Sequence, residues 1–133
     1  MAAVASTPRP TDAELAILRV LWTRGPSTVR EVHDHMAGAR AVAYTTTLKT
    51  LQVMTDKGLT KRADVRGQHV YSPGATEHDT LHQLVTDLLD RAFGGSTARL
   101  VVQALASKRA TPAELKEIRR LLNAAETAKR GTK

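Results

Sequence analysis

One run of residues, from position 43 to position 57, constrains the fold of this chain more than any other, because it combines helical apolar spacing with many hydroxyls. The residues that share the inward side of the predicted helix are Thr47, Leu48, Leu51 and Met54. Those toward the outward side are Thr45, Thr46, Lys49, Gln52 and Val53. Gly58 follows the run and can take the left-handed conformation that ends a helix. The pattern predicts a helix whose exposed face offers hydroxyls, an amide and an ammonium.

The chemistry of that outward face points to a partner. Threonine is a poor helix former, so a surface that accepts several threonines has a use for their side chains. Hydroxyl, amide and methyl groups suit the base edges in the major groove of DNA. The alternative interpretation is an ordinary amphipathic helix.

A β-hairpin is predicted directly after this helix. Residues 59–63 and 68–72 can pair around a turn at residues 64–67, with Arg66 at the tip. Lys61, Arg62 and Arg66 can then reach phosphates beside a groove, where contacts add affinity and orientation but little sequence information. A solvated hairpin with protective charges is the alternative, and it is weaker beside a hydroxyl-rich helix.

Two shorter helices precede this region. Residues 11–14 and 28–31 both have the sequence pattern of a capping box, and they open helices that run to Gly25-Pro26 and to Met36. A turn at residues 38–40 joins the second of these to the hydroxyl-rich helix. We therefore predict a winged helix-turn-helix DNA-binding domain over residues 11–75, preceded by a disordered leader at residues 1–10.

The C-terminal part reads as helices with more apolar surface than they can bury alone. Helices are predicted over residues 76–93, 97–106 and 111–125, and a basic tail over residues 127–133. We expect residues 76–126 to form a helical dimerisation domain, the alternative being an intramolecular three-helix bundle. The fold class is thus mainly α with a small β wing. The predicted dimerisation residues are Leu81, Leu84, Leu88, Leu100, Val101, Leu105, Leu115, Ile118 and Leu122.

The composition excludes some classes of function but does not identify one. A length of 133 residues suits one ordinary domain or two small ones, and a net charge of +7 with a pI near 10.3 is compatible with a polyanionic partner. Without cysteine there is no disulfide and no thiolate metal site. No signal peptide or membrane span is evident, so we expect a cytoplasmic protein without stable membrane association.

Two other classes of function compete with DNA binding. His78 and His82 lie four residues apart on a predicted helix, which makes a metal-responsive regulator an alternative, although solvated imidazoles are the commoner case. A protein-interaction adaptor is a further alternative, because winged helices also serve as interaction modules. Asp87 and Asp90 are the nearest approach to paired carboxylates, and no nucleophile with a positioned base accompanies them. We predict no enzyme activity, no cofactor and no metal site.

Together these segments resemble the penicillinase-repressor family of BlaI-, MecI- and CopY-type winged-helix transcriptional regulators. The motifs that resemble its first two helices are Asp12-x-Glu14-x-x-Ile17-Leu18-x-x-Leu21-Trp22 and Thr28-Val29-Arg30-Glu31-Val32. Those that resemble its recognition helix and wing are Ala43-Tyr44-Thr45-Thr46, Leu51, Lys57-Gly58-Leu59, Arg62, Arg66-Gly67, Tyr71 and Pro73. Phe93-Gly94-Gly95-Ser96 before Leu100-Val101 resembles its dimerisation segment.

The resemblance implies a homodimeric repressor that occupies a palindromic operator over a promoter and blocks RNA polymerase. It also implies a membrane-bound sensor protease as inducer, but the family's scissile Asn-Phe pair falls near Gln103-Ala104, which does not match. Val53 stands where family members usually carry arginine, a departure that can change operator preference. The cysteine pairs of the copper-responsive members are absent.

The predicted interface with double-stranded DNA divides into two groups of residues. The candidates for contact with bases are Thr45, Thr46, Lys49 and Gln52. The candidates for contact with the DNA backbone are Arg40, Tyr44, Lys61, Arg62 and Arg66.

Overall fold

A computed structural model of the protein describes residues 9–36 and 42–131. Its elements are, in chain order, α1 (Asp12–Arg24), β1 (Ser27–Thr28), α2 (Val29–Met36), α3 (Tyr44–Lys57), β2 (Thr60–Val65), β3 (Gln68–Pro73), α4 (Glu77–Ala92), α5 (Thr97–Ala106) and α6 (Pro112–Gly131). The described residues divide into two compact units, the first ending at residue 85 and the second beginning at residue 86. The fold class predicted from the sequence, mainly α with a small β wing, is confirmed.

The helix starts follow local side-chain chemistry. At the starts of α1, α2 and α6, a threonine hydroxyl accepts a hydrogen bond from the backbone N–H three residues on, and the glutamate there accepts one from the threonine N–H, at 2.9–3.2 Å. These reciprocal bonds satisfy N–H groups that a helix leaves without partners. The three pairs are Thr11–Glu14, Thr28–Glu31 and Thr111–Glu114.

The first unit has a continuous hydrophobic core. Helices α1, α2 and α3 contribute most of it, and β3 contributes Tyr71, which is fully buried. The buried apolar residues are Ile17, Leu18, Leu21, Val29, Val32, Met36, Leu51, Met54, Leu59 and Tyr71. Leu51 and Met54 of α3 are part of this core, so packing fixes the orientation of α3 in the unit.

A small antiparallel sheet, in the order β1-β3-β2, completes the first unit. The two residues of β1 pair with Tyr71 and Val70, a strand that the sequence analysis did not predict. The hairpin of β2 and β3 is paired from Thr60↔Pro73 to Val65↔Gln68. Its loop is therefore the two-residue turn Arg66-Gly67, shorter than the turn predicted over residues 64–67.

Two glycines fix the connection between α3 and the hairpin. Gly58 has φ 85° and ψ 5°, the left-handed conformation predicted for it at the end of α3. Gly74 follows β3, where its N–H donates to the Leu59 carbonyl at 2.8 Å. A Cβ at Gly74 would lie 2.3 Å from the Gly58 carbonyl oxygen, so the close approach of the two backbone segments requires glycine there.

The second unit has no comparable core. No described residue of α5 or α6 is buried, and Val102, Leu121 and Leu122 are 60%, 50% and 58% exposed. Of the predicted dimerisation residues in this unit, Leu88, Leu105, Leu115 and Leu122 are exposed, and Leu100, Val101 and Ile118 are half-buried. Leu81 and Leu84, on the part of α4 that belongs to the first unit, are exposed and half-buried respectively. Helix α6 continues to Gly131, so residues 127–131 of the predicted tail are helical.

Candidate nucleic-acid interface

Helix α3 presents a polar face because its apolar residues are used by the core. Thr47, Leu51 and Met54 are buried, and Leu48 packs against the core. The residues left exposed on α3 include Thr45, Thr46, Lys49, Gln52 and Val53. All four side chains predicted to contact bases are thus accessible on one element. No acidic residue lies in its first turn.

A shallow groove of about 460 Å³ runs along part of this face. Its walls come from the start of α1 and from the outward side of α3. The lining residues are Thr11, Ala13, Glu14, Thr45, Thr46, Lys49, Thr50 and Val53. Three of the predicted base contacts, Thr45, Thr46 and Lys49, are brought together here, whereas Gln52 does not line the groove. The Thr50 hydroxyl donates to the Thr46 carbonyl at 2.8 Å.

A partly buried ion pair joins α1 to the end of α3. The Lys57 Nζ lies 2.8 Å from Glu14 Oε2, and the Glu14 side chain is only 5% exposed. Burial raises the pKa of Glu14, but hydrogen bonds from Lys57 and from the Thr11 backbone outweigh it and bring the pKa below its usual 4.5. The carboxylate is therefore ionised near neutral pH and holds α3 against α1.

The wing does not present its basic residues on one surface. Lys61 and Arg62 are consecutive on β2, so their side chains point to opposite faces of the hairpin. Arg62 is directly opposite Tyr71 and shares its face, while Lys61 is opposite Ser72 on the other face. Each face of the wing thus offers one of these two basic residues, and their contact with phosphates stays a prediction.

Arg66 occupies the tip of the wing in an uncommon backbone conformation. Its φ is 53°, and Gly67 follows at φ 81°. Two positive φ values in a two-residue hairpin loop correspond to a type I′ turn, whose twist matches that of the paired strands. On the same hairpin, His69 Nδ1 lies 2.5 Å from Asp64 Oδ1. The tip thus carries an exposed cation on a well-defined turn.

Tyr44 has neighbours that the sequence analysis did not anticipate. The guanidinium carbon of Arg30 lies 4.4 Å from the centroid of the Tyr44 ring. The His33 ring meets Tyr44 edge-on, with centroids 5.6 Å apart. Both contacts join α2 to α3, so no periodicity within either helix could have revealed them. Arg40, the remaining candidate for backbone contact, lies outside the described residues.

The histidine pair of α4 does not extend to a larger cluster. The rings of His78 and His82 are stacked with centroids 6.2 Å apart. Within residues 9–36 and 42–131, no group of three or more His, Cys, Asp or Glu side chains could hold a metal ion. Over the same residues, no helix has the length and apolarity to cross a membrane.

Known proteins with similar sequences agree on one family. The family model described as penicillinase repressor matches residues 10–124 of this chain. The transcriptional regulator BlaI of Mycobacterium tuberculosis, in strains CDC 1551 / Oshkosh and ATCC 25618 / H37Rv, is 34% identical over 93 residues, which are 68% of this chain and 67% of the relative. The family match extends over both units.

Two solved structures of bacterial proteins show partial similarity to this chain. One is the monomeric form of Bacillus licheniformis BlaI in complex with the blaP half-operator, with 25% identity, a TM-score of 0.49, and coverage of 55% of this chain and 89% of that chain. The other is Bordetella bronchiseptica BpsR, whose DNA binding is regulated by 6-hydroxynicotinic acid. It has 19% identity, a TM-score of 0.44, and coverage of 86% of this chain and 74% of that chain.

Proposed function

Because the chain belongs to the penicillinase-repressor family of transcriptional regulators, whose members are not enzymes, we propose that it represses transcription by binding operator DNA in the cytoplasm. The observation that carries this proposal is the exposed face of α3. That helix is held by the core and by the Glu14–Lys57 ion pair, while it presents Thr45, Thr46 and Lys49 together. A rigid helix with such groups suits insertion into a major groove.

We assign the base contacts to the outward face of α3 and the phosphate contacts mainly to the wing. Thr45, Thr46, Lys49 and Gln52 on α3 are proposed to contact base edges. Arg66 at the wing tip, and Lys61 or Arg62 from one face of the hairpin, are proposed to contact phosphates. Tyr44 and Arg40 remain candidates for contact with the DNA backbone. This division predicts that α3 sets the choice of operator and the wing sets affinity.

We propose that the active form is a homodimer on a palindromic operator. The support comes from the apolar side chains left exposed on α4, α5 and α6, such as Leu88, Leu105 and Leu122. A second copy would bury them, since large exposed apolar patches are uncommon on monomeric proteins. A twofold dimer presents two recognition helices about 34 Å apart, one turn of DNA, and so matches two inverted half-sites.

The means of release is part of the proposal. A membrane-bound sensor protease is the inducer that the family resemblance implies. Gln103 and Ala104 are exposed on α5, but they are not the Asn-Phe pair that this mode of induction would require. Incubation of the protein with cells that carry such a sensor, followed by mass analysis of the fragments, would identify a cleaved bond elsewhere or an uncleaved repressor.

Direct readout by α3 can be tested by one exposed residue. Genomic fragments that the purified protein selects would first define the operator motif. Thr46→Ala should then weaken operator binding by about 1 kcal/mol while affinity for random duplex changes little. An equal loss on both DNAs would contradict base contact by Thr46. Sedimentation of the same sample tests the dimer, because a monomer at micromolar concentration with full operator binding would overturn it.

A further inference from the structure

The first residue of α3 is held by two side chains of α2. The His33 ring packs edge-on against Tyr44 at an interplanar angle of 77°, and His33 Nδ1 lies 3.1 Å from Thr47 Oγ1. The Arg30 guanidinium lies over the Tyr44 ring at 4.4 Å from its centroid. The ring of Tyr44 is therefore a fixed platform for Arg30, supported by a second contact from the same helix.

Stacking fixes Arg30 without burying its charge. An aromatic face attracts a guanidinium that lies within about 6 Å. The Arg30 side chain remains 64% exposed, and its ion pair with Asp34 is long, at 4.0 Å between two exposed groups. Such a pair contributes little and is easily exchanged. Arg30 thus presents N–H donors to solvent from a side chain whose conformational freedom is already reduced.

Arg30 lies beside the start of α3, next to residues that are proposed to contact bases. Tyr44 is followed by Thr45 and Thr46, which are proposed base contacts. In helix-turn-helix proteins the helix before the recognition helix crosses the DNA backbone. A guanidinium on α2, next to the start of α3, would meet that backbone when α3 enters the groove. Its planar set of donors matches phosphate oxygens in pairs.

We propose that Arg30 is a contact to the DNA backbone, and that Tyr44 serves this contact as a stacking platform through its ring and not through its hydroxyl. The inference rests on the proposed function, since it needs α3 to enter a major groove. It adds a cation that the sequence analysis did not select and gives Tyr44 a different role. The DNA backbone would then be contacted by one cation on α2, which precedes α3, and by another on the wing, which follows α3.

The test measures binding of the full chain to a labelled random duplex and to the selected operator between about 50 and 200 mM salt. Arg30→Ala should weaken both DNAs to a similar extent and reduce the slope of log affinity against log salt by about 0.9, the value for one lost phosphate contact. The matched control is Arg19→Ala, which removes the same charge from α1. Arg19 lines a groove with Val20, His35 and Met36, and it does not line the groove along α3.

Tyrosine variants separate the ring from the hydroxyl. Tyr44→Phe should bind DNA as the wild type does, because the platform is kept. Tyr44→Leu should lose a large part of what Arg30→Ala loses, and the double variant should lose little more than Arg30→Ala alone. Melting curves verify that each variant is folded. If Tyr44→Leu does not fold, Tyr44→Phe still tests the hydroxyl, and Tyr44→His, which keeps a smaller aromatic ring, replaces Tyr44→Leu as the test of the platform.

The possible outcomes distinguish the proposed function from the role of Arg30. If the wild type shows no salt-sensitive binding to any duplex, the proposed function is wrong. If the wild type binds and Arg30→Ala matches Arg19→Ala, the proposed function stands and the inference about Arg30 is overturned. A loss in Tyr44→Phe as large as in Arg30→Ala would show that the hydroxyl makes the contact and would refute the platform.

Discussion

The helices of both units have apolar residues at helical spacing, but the two units differ in how far those residues are buried. The first unit buries residues from α1, α2, α3 and the sheet in one core that includes Leu51, Met54 and Tyr71. In the second unit no described residue of α5 or α6 is buried, and Leu121 and Leu122 are exposed on α6. Leucines at helical spacing therefore form an apolar face in both units. Only in the first unit do other elements of the same unit cover that face.

This difference separates two kinds of stability. A unit with its own core has a free energy of unfolding that does not depend on protein concentration. Helices that need a second copy to bury their apolar faces gain stability by association, so their stability rises with concentration. In the proposed repressor the DNA-contacting unit would be folded whether or not it is dimeric. Affinity for a full operator would then depend on dimerisation through the second unit.

The largest effect is expected from a cavity in the closed core. Leu51→Ala removes a fully buried side chain of α3, and we expect it to lower the free energy of unfolding by about 2–5 kcal/mol. The loss should be the same at every protein concentration. Urea titrations of wild type and variant at two concentrations measure it. The matched control is Leu122→Ala, for which a loss of the same size in dilute protein would erase the distinction between the units.

A charge on the open face should act on association instead. Leu122→Asp places a carboxylate where a second copy is proposed to pack, and symmetry places it there twice. We expect the dimer to weaken by about 100-fold, equivalent to about 2.7 kcal/mol. Sedimentation over a range of concentrations measures this change. Binding to a single half-site should be unchanged, while binding to the full operator falls.

Asn123→Asp is the control for that charge. It adds the same negative charge at the next position of α6, outside the apolar stripe of Leu115, Ile118 and Leu122. It should leave the dimer largely intact. If Leu122→Asp and Asn123→Asp behave alike, the effect is one of net charge and α6 does not form the interface.

The sequence predicted the local features of the fold better than the long-range ones. Capping at Thr11 and Thr28, and the end of α3 at Gly58, depend on residues within four positions of one another. Strand β1 was missed because a two-residue strand has no periodicity, and it exists only through its pairing with Val70 and Tyr71. The helix ends could be predicted because they depend on neighbouring residues. Strand β1 could not, because it depends on pairing with residues distant in sequence.

The candidate site divides in the same way. The outward face of α3 followed from helical spacing, and Thr45, Thr46, Lys49 and Gln52 are all exposed. The alternation of side chains along a strand could have separated Lys61 from Arg62, since consecutive strand residues point to opposite faces. The stacking of Arg30 on Tyr44 could not be predicted, because it depends on how α2 packs against α3.

A smaller effect, dependent on pH, is expected at the contact between α1 and α3. Lys57→Met leaves the buried Glu14 carboxylate without its ion pair, and we expect a loss of about 1–3 kcal/mol at neutral pH. The pKa of Glu14 is lower in the folded protein than its usual 4.5, so its contribution is complete above that value. It is lost as the pH falls through the lower folded pKa. The deficit of the variant should therefore shrink as the pH falls below 4.5.

Urea titrations at neutral pH and in acid measure this deficit. Lys61→Met, which removes an exposed lysine from the wing, is the matched control and should show no comparable loss. A deficit of Lys57→Met that stayed constant into acid would mean that the Lys57 side chain stabilises the unit by packing alone. The role of the ion pair in holding α3 would then have to be withdrawn.

The smallest effect on stability is expected at the wing tip, where it should oppose the effect on DNA binding. Arg66 has φ 53°, a conformation that asparagine adopts more readily than arginine. Arg66→Asn should therefore raise the free energy of unfolding by about 0.5 kcal/mol, in keeping with the modest gains from a better turn residue. It also removes a cation, so the salt slope of DNA binding should fall by about 1. A stabilised variant that binds DNA more weakly would show that Arg66 contributes its charge to DNA binding and does not favour the turn. A stabilised variant with unchanged salt dependence would show that the wing tip does not contact DNA.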